Sequence, residues 1–204
     1  MLTVIVTGGI GSGKSAVCAL LRERGIPVYD CDSRVKELYS CRRSLVPKLE
    51  KALGSPLRRA DGTLDKTRLA AIIFSDPAAR ETLEGIVYPI LLQDFKRWRF
   101  HQKAPFVALE SAIILSKPLF DGLADVVVLV EAPQELRISR VMARDGLSLP
   151  EVERRLSAQN IPLEKVDVTL VNDGSSEELA AAVEHVFFDK NSYICKILED
   201  KHTL

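Results

Sequence analysis

The sequence predicts an α/β protein built on a mainly parallel sheet. Three observations carry that reading. Strand-like and helix-like segments alternate along the chain. The first apolar strand runs directly into a glycine-rich turn that opens a helix. The length, 204 residues, suffices for one domain with a substantial core, including large insertions.

Leu2 to Thr7 reads as a fully buried strand, Gly8 to Gly13 as a turn, and Ser12 to Arg24 as a helix. Val17, Leu20 and Leu21 share one side of that helix, and Gly25 stops it. Ile26 to Tyr29 is a short second strand ending at Asp30. Phe106 to Leu109 and Val126 to Val130 are two more buried strands, and Val166 to Val171 is a fifth, closed by the turn residues Asn172-Asp173-Gly174. Ser175 and Glu178 then form a capping-box pattern ahead of a helix over Leu179 to Phe188. The chain after Lys190 carries no clear signal.

Between the second and third strands lie about seventy residues with a helical pattern, too long for a simple loop. Breaks are expected at Pro47, at Gly54-Ser55-Pro56 and at Asp61-Gly62. This stretch, residues 33–100, reads as a helical insertion forming a second lobe. A helical pair follows the fourth strand: Pro133 to Arg144 stopped by Gly146, then a helix opened by the capping box Ser148-Leu149-Pro150-Glu151.

Composition narrows the partners. There are 28 basic and 28 acidic residues, so whole-chain charge favours neither nucleic acid nor an anionic membrane, and neither is expected as a partner. No apolar run reaches the ~18 residues of a membrane span, and the apolar N-terminal stretch is too short for a secretion signal. Cys18, Cys31, Cys41 and Cys195 show no CxxC spacing, which fits reduced thiols in a cytoplasmic protein rather than a zinc site or disulfide framework. The expected state is a monomer or weak homo-oligomer.

Gly8-Gly9-Ile10-Gly11-Ser12-Gly13-Lys14-Ser15 fits GxxxxGK[ST], a phosphate-binding loop. Backbone N–H groups must converge on phosphate oxygens, and side chains would block that approach. The helix N-terminus that follows favours an anion. Lys14 is a point charge for the terminal phosphates, and the Ser15 hydroxyl is placed to ligate Mg²⁺. At average residue usage the pattern arises by chance in roughly one chain in a hundred, but here it also sits between a strand and a helix, as the motif requires. The candidate nucleotide-binding set is Gly9, Gly11, Ser12, Gly13, Lys14, Ser15 and Ala16.

No guanine-reading NKxD follows a later strand, which argues against a GTPase. Asp30-Cys31-Asp32 ends the second strand instead. In extended chain, residues two apart point the same way, so both carboxylates are expected to face the cleft beyond the strand ends. Glu110 ends the third strand, where an acid can reach Mg²⁺ or its water shell. Arg137, Arg140 and Arg144 are spaced i, i+3, i+7 and share a helix face that could close over phosphates. The competing readings are solvated acids at Asp30 and Asp32, a polar strand end at Glu110, and a solvated basic face paired with Glu135 and Glu151. His101, His185 and His202 form no metal-like or triad-like spacing, and Trp98 reads as a partly buried aromatic at a helix end.

Taken together, TGGIGSGKS, a strand ending in DxD, the block DGTLDKTRLAAIIFSDPAARETLEGIVYP, ESAIIL after the third strand, VVVLVEAPQELRISRVMARDG, Gln159 and VTLVNDG resemble the dephospho-coenzyme A kinase family over about residues 3 to 180. The combination with FxDPxxRxxLExIxxP is specific, whereas the phosphate loop alone is shared by many families. The resemblance implies a P-loop nucleotide-kinase-like five-stranded parallel sheet with helices on both faces, a helical substrate domain at residues 33–100 and a mobile helical lid at residues 133–160. It implies ATP-dependent phosphorylation of the ribose 3′-hydroxyl of dephospho-coenzyme A, the last step of coenzyme A synthesis, with ATP and Mg²⁺. It puts Asp32 on the presumed base, Lys14 and Ser15 on the phosphate and metal positions, Arg140 on a lid arginine, and Asn172 near the adenine pocket. Arg144 joins the nucleotide-binding candidates. The chain departs from the family at Tyr88-Pro89, where His-Pro is usual, at Lys66, where arginine is common, and at Ser111 to Leu115, where PLLFE is usual. These departures bear on substrate-side contacts more than on the chemistry. Two rivals stand beside this reading: a kinase for another nucleoside or nucleotide, and a nucleotide-dependent switch that transfers no phosphate.

Overall fold

The computed structural model describes residues 1–202. The chain forms two compact units: one is Met1–Asp30 with the residues from Gln102 onward, the other is Cys31–His101.

In the first unit the described residues form a parallel sheet of five strands. These are β1 (Leu2–Thr7), β2 (Val28–Asp30), β3 (Phe106–Glu110), β4 (Val126–Glu131) and β5 (Val168–Val171), in the order β2-β3-β1-β4-β5. β1, buried at every position, is the central strand. Its Val6 lies opposite Glu110, which in turn lies opposite Asp30 on β2. The acids foreseen at two strand ends thus sit side by side at one end of the sheet.

Period-two alternation divides β1 between two faces. Leu2, Val4 and Val6 pack with Val17, Cys18 and Leu21 of α1 (Lys14–Glu23) and with Leu179, Val183 and Phe187 of α8 (Ser176–Phe187). Ile5 faces the other way, toward Leu115 and Phe120 of two 3-10 turns, Ile114–Ser116 and Pro118–Phe120. The chain after Lys190, unreadable from sequence, is α9 (Tyr193–His202), and it completes the first face by burying Ile194 fully in the core.

Several boundaries move. β2 starts at Val28 because Ile26 is tied back to α1, its N–H donating to Leu21 O. β5 starts at Val168 because Val166 closes a 3-10 turn over Leu163–Lys165. α8 begins at Ser176, one residue after its cap: Glu178 N–H donates to Ser175 Oγ at 3.2 Å, and Ser175 N–H donates to Glu178 Oε2 at 2.7 Å. The other capping box holds as read, at Ser148 and Glu151. It opens α7 (Leu149–Ser157), which follows α6 (Gln134–Asp145) across Gly146 at φ +65°.

The second unit is helical: α2 (Cys31–Cys41), α3 (Leu45–Leu53), α4 (Lys66–Ser75) and α5 (Pro77–Phe100). Pro47 does not break the chain as expected; it sits in the first turn of α3, where the missing N–H has no intrahelical acceptor to lose. A break not foreseen falls at Asp76. Its extended backbone follows from the proline after it, and its carboxylate accepts the Ala78 N–H at 2.8 Å, capping α5. Ala79, Leu83, Val87, Leu91 and Phe95 recur every fourth residue and form the buried stripe of α5. Trp98 is half-buried near its end, against Phe95. Between α3 and α4, Glu50 holds the connecting loop: its carboxylate accepts from the N–H groups of Leu57 and Arg58 and from Arg58 Nε, which lowers its pKa. No helix among the described residues is long and apolar enough to cross a membrane.

Because Ile194 is fully buried beside the core of the first unit, Ile194→Ala should lower unfolding stability by about 2–5 kcal/mol. Urea titration followed by far-UV circular dichroism would measure this. An effect near zero would mean that α9 is not part of the core.

Candidate active site

The glycine-rich loop leaves β1 at the carboxyl end of the sheet, and Gly13 at φ +96° turns it into α1, which starts at Lys14 rather than Ser12. Two constraints explain its glycines. Gly11 and Gly13 have positive φ, which side chains disfavour. The protein also occupies the space where side chains would stand. A Cβ on Gly8 would strike the Val130 carbonyl, one on Gly9 the Arg137 guanidinium, one on Gly11 the Arg137 backbone, and one on Gly13 the Asn172 amide.

Lys14 Nζ lies across this loop, donating to Gly8 O at 2.8 Å and Gly9 O at 3.0 Å. Ser15 Oγ donates to Glu110 Oε1 at 2.7 Å, so the hydroxyl and the strand-end acid meet. Glu110 is almost fully buried. Cys18, one turn beyond Ser15, faces the same acid; burial first, then the Glu110 carboxylate, pushes its thiol well above the ordinary range. It therefore stays protonated and is no rival nucleophile or metal ligand. Ser12 Oγ and Thr7 Oγ1 are buried and have no hydrogen-bond partner among the described residues.

The arginine face divides. Arg137 Nε donates to Ile10 O at 3.0 Å. Arg140 donates to both oxygens of Asn172, at 3.1 Å to the backbone and 3.3 Å to the side chain. Arg144 instead forks onto Asp145, at 2.7 and 2.9 Å, on an exposed surface. A full heptad down the helix, it has passed the loop. Asn172 is buried, and its Nδ2 donates to Ser12 O at 2.8 Å. It joins the loop to Arg140. Gln159 lies just beyond α7, and its Oε1 accepts the Ile10 N–H at 2.6 Å. Sequence reasoning gave Arg137 and Gln159 no part in holding the loop. Arg137 was legible only as part of a basic face, and Gln159 only as one residue of the family resemblance.

Beside the loop a cavity of about 390 Å³ has apolar walls from Ala132, Pro133, Ile161, Leu163 and Val171, with Ser12, Glu131 and Arg137 as polar points. Such a composition suits a small organic ligand.

Asp32 requires a correction of geometry. It does not continue the strand; it lies exposed in the first turn of α2, which starts at Cys31 directly after Asp30. A carboxylate there is favoured by the free N–H groups of the helix start. Within the same helical unit its charge, after burial and Glu84, helps push Tyr88 above its usual range. Tyr88 OH donates to Glu84 Oε1 at 3.4 Å. Tyr39, Arg59, Thr63 and Lys66 line a separate cavity of about 470 Å³ in that unit.

A parallel sheet with a phosphate loop at the end of its central strand, a paired hydroxyl and acid beside it, and arginines on the following helix defines a P-loop kinase. The fold is shared with shikimate kinase of Acinetobacter baumannii, at TM-score 0.53 and 17% identity over 94% of this chain and 95% of that one. The family model for dephospho-CoA kinase matches residues 2–178, and the chain belongs to that family. It is 37% identical to the dephospho-CoA kinase of Porphyromonas gingivalis over 203 residues, 100% of this chain and 96% of the relative. A crystal structure from Thermus thermophilus superposes with TM-score 0.77 at 36% identity, over 90% of this chain and 94% of that one.

Asn172→Ala should cost about 1–3 kcal/mol of stability, because the Ser12 carbonyl and the Arg140 guanidinium each lose a buried partner. Asn172→Asp should be no better, since a carboxylate cannot donate to Ser12 O. Urea unfolding of both variants tests this; a fully stable Asn172→Asp protein would show that the Ser12 contact carries no weight.

Proposed function

We propose that this chain transfers the γ-phosphoryl group of ATP to the ribose 3′-hydroxyl of dephospho-coenzyme A, giving coenzyme A and ADP in the last step of coenzyme A synthesis. The observation that carries the reading is the family match over residues 2–178, joined to a phosphate loop whose Ser15 is paired with Glu110. The substrates are small and water-soluble, and the reading places the enzyme in the cytoplasm.

Phosphoryl transfer asks the protein for positioning and charge stabilisation more than for covalent work. The loop and the start of α1 hold the phosphates of ATP, with Lys14 on the terminal ones. Arg140 stands over the loop end through Asn172 and supplies positive charge toward the transferring group. Arg144, engaged with Asp145, needs a rearrangement before it can take part.

Mg²⁺ fits the site. Ser15 Oγ and Glu110 Oε1 are hard oxygen ligands 2.7 Å apart, and Asp30 lies opposite Glu110 in the sheet. Among the described residues no cluster of three or more acids, histidines or cysteines could cage a metal alone. The ion would therefore be held by Ser15, directly or through water by Glu110, and otherwise by phosphates and water. It supplies neutralisation of phosphate charge.

Asp32 orients the acceptor hydroxyl and takes its proton as the bond to phosphorus forms. Support comes from the matched family segment and from its exposed place at a helix start. An ordinary aspartate is a weak base for a ribose hydroxyl, so the proton passes late, once the oxygen is acidified. The helical unit 33–100 serves acceptor binding on this reading. Its cavity with Arg59 and Lys66 offers two cations to an acceptor that carries a diphosphate. Residues 133–160 serve as the lid, with α6 and α7 hinged at Gly146.

Turnover with ATP·Mg²⁺ should be fast with dephospho-coenzyme A and slow with adenosine, cytidine monophosphate or thymidine monophosphate. Preference for another acceptor would overturn the assignment. Lys14→Ala should abolish transfer and leave the fold intact by circular dichroism. Asp32→Asn should lower kcat by about 10²–10⁴-fold with little change in ATP affinity, and Asp30→Asn should cost less. A fully active Asp32→Asn enzyme would move the acceptor base elsewhere, with Glu110 next to test.

A further inference from the structure

We infer that Gln159 is a positioning residue for the phosphate loop, acting through the backbone of Ile10; the inference rests on the kinase reading above. Ile10 sits between Gly9 and Gly11, the most conformationally free stretch of the loop. Both of its backbone groups are held from outside. Its N–H donates to Gln159 Oε1 at 2.6 Å, and its C=O accepts from Arg137 Nε at 3.0 Å. The two groups belong to successive peptide planes, so together they fix the backbone angles of Ile10 and the path of the chain into Gly11. Gly11 must hold φ +78° for the loop to close over α1.

The two partners come from different segments, Arg137 from within α6 and Gln159 from beyond the end of α7. Only an acceptor can serve the Ile10 N–H, and the Gln159 amide offers its oxygen. An arginine or lysine there could not substitute. Neither contact requires Gln159 to touch the nucleotide. Its effect is to order the loop before phosphates arrive, which reduces the ordering cost of binding. The preceding peptide plane, between Gly9 and Ile10, is also held on its carbonyl edge, where Gly9 O accepts from Ser12 N–H at 3.2 Å and from Lys14 Nζ at 3.0 Å. The Gln159 contact holds its N–H edge, and it remains when Lys14 turns to the phosphates.

The test uses the full chain with two substitutions. Gln159→Met keeps length and volume and removes the acceptor; Gln159→Glu keeps an acceptor. Amide exchange at Ile10 is read by NMR, and ADP affinity by calorimetry. Gln159→Met should speed Ile10 exchange and weaken ADP binding on the order of threefold to tenfold, the range for one lost backbone hydrogen bond. KM for ATP should rise with it, while kcat at saturating ATP and KM for the acceptor stay near wild type. Gln159→Glu should restore slow exchange, because a carboxylate accepts the same N–H. Wild-type exchange and ADP affinity in Gln159→Met would overturn the proposal. So would a Gln159→Glu protein whose Ile10 exchanges as fast as in Gln159→Met, since the loss would then be general destabilisation. ADP binding needs no acceptor, so these outcomes stand apart from any failure of dephospho-coenzyme A as substrate.

Discussion

The site depends on a loop that can carry almost no side chains on either of its surfaces. On the ligand side, backbone N–H groups must approach phosphate oxygens without obstruction. On the protein side the space is already filled: by the β4 carbonyl at Gly8, by α6 at Gly9 and Gly11, and by Asn172 at Gly13. The glycine pattern is therefore constrained twice, once by chemistry and once by packing. α6 can lie this close only because Gly11 offers no Cβ to its backbone. That closeness in turn brings Arg137 within reach of Ile10.

The same sheet end sorts its polar groups by burial and hardness. Ser15 and Cys18 stand three residues apart on α1 and face one acid, Glu110. The hydroxyl is bonded to the carboxylate and offers a hard oxygen suited to Mg²⁺. The thiol is buried, and the neighbouring carboxylate makes its ionisation costlier still. One residue is kept available for chemistry and the other is kept inert, although both project from the same helix face. Asp30, adjacent in the sheet to Glu110, adds a second acid at the same strand ends without lying on α1 at all.

What the sequence made legible follows from range. Features set by neighbours a few residues away read well: β1, whose apolar run matches Leu2–Thr7, the two capping boxes, and the phosphate loop with its strand–turn–helix context. Breaks set by local sterics read less evenly. Pro47 looked disruptive but falls in a first turn, where proline is tolerated, while Asp76-Pro77 divides two helices without a glycine to announce it. The Asp30–Asp32 pair was placed at the strand end, yet assuming extended chain missed that α2 starts at once after Asp30. Features set by distant residues did not read at all. Nothing around Gln159 reveals that it meets Ile10, 149 positions away, and nothing around Ile194 reveals that it closes the core. Arg144 shared a face with Arg137 and Arg140 by spacing, but helix rise carries it past the loop toward Asp145.

A phosphate loop is usually described as a motif, but here its geometry belongs to the whole nucleotide-binding unit. Ile10 is held by α6 and by the segment after α7, and Ser12 by Asn172, the residue just after β5. None of these contacts can form until β4, α6, α7 and β5 are in place, because each closes a loop of more than a hundred residues. Phosphates that favour the ordered loop must therefore also favour the placement of α6 and α7 that orders it. By linkage the reverse holds with equal free energy: whatever settles the helical pair tightens the grip on phosphate. The contacts that couple them are few and directional, which makes the coupling sensitive to single side chains far from the motif. An acceptor oxygen at position 159 and a fork at position 137 then count as parts of the phosphate loop, although neither is within a hundred residues of it in sequence.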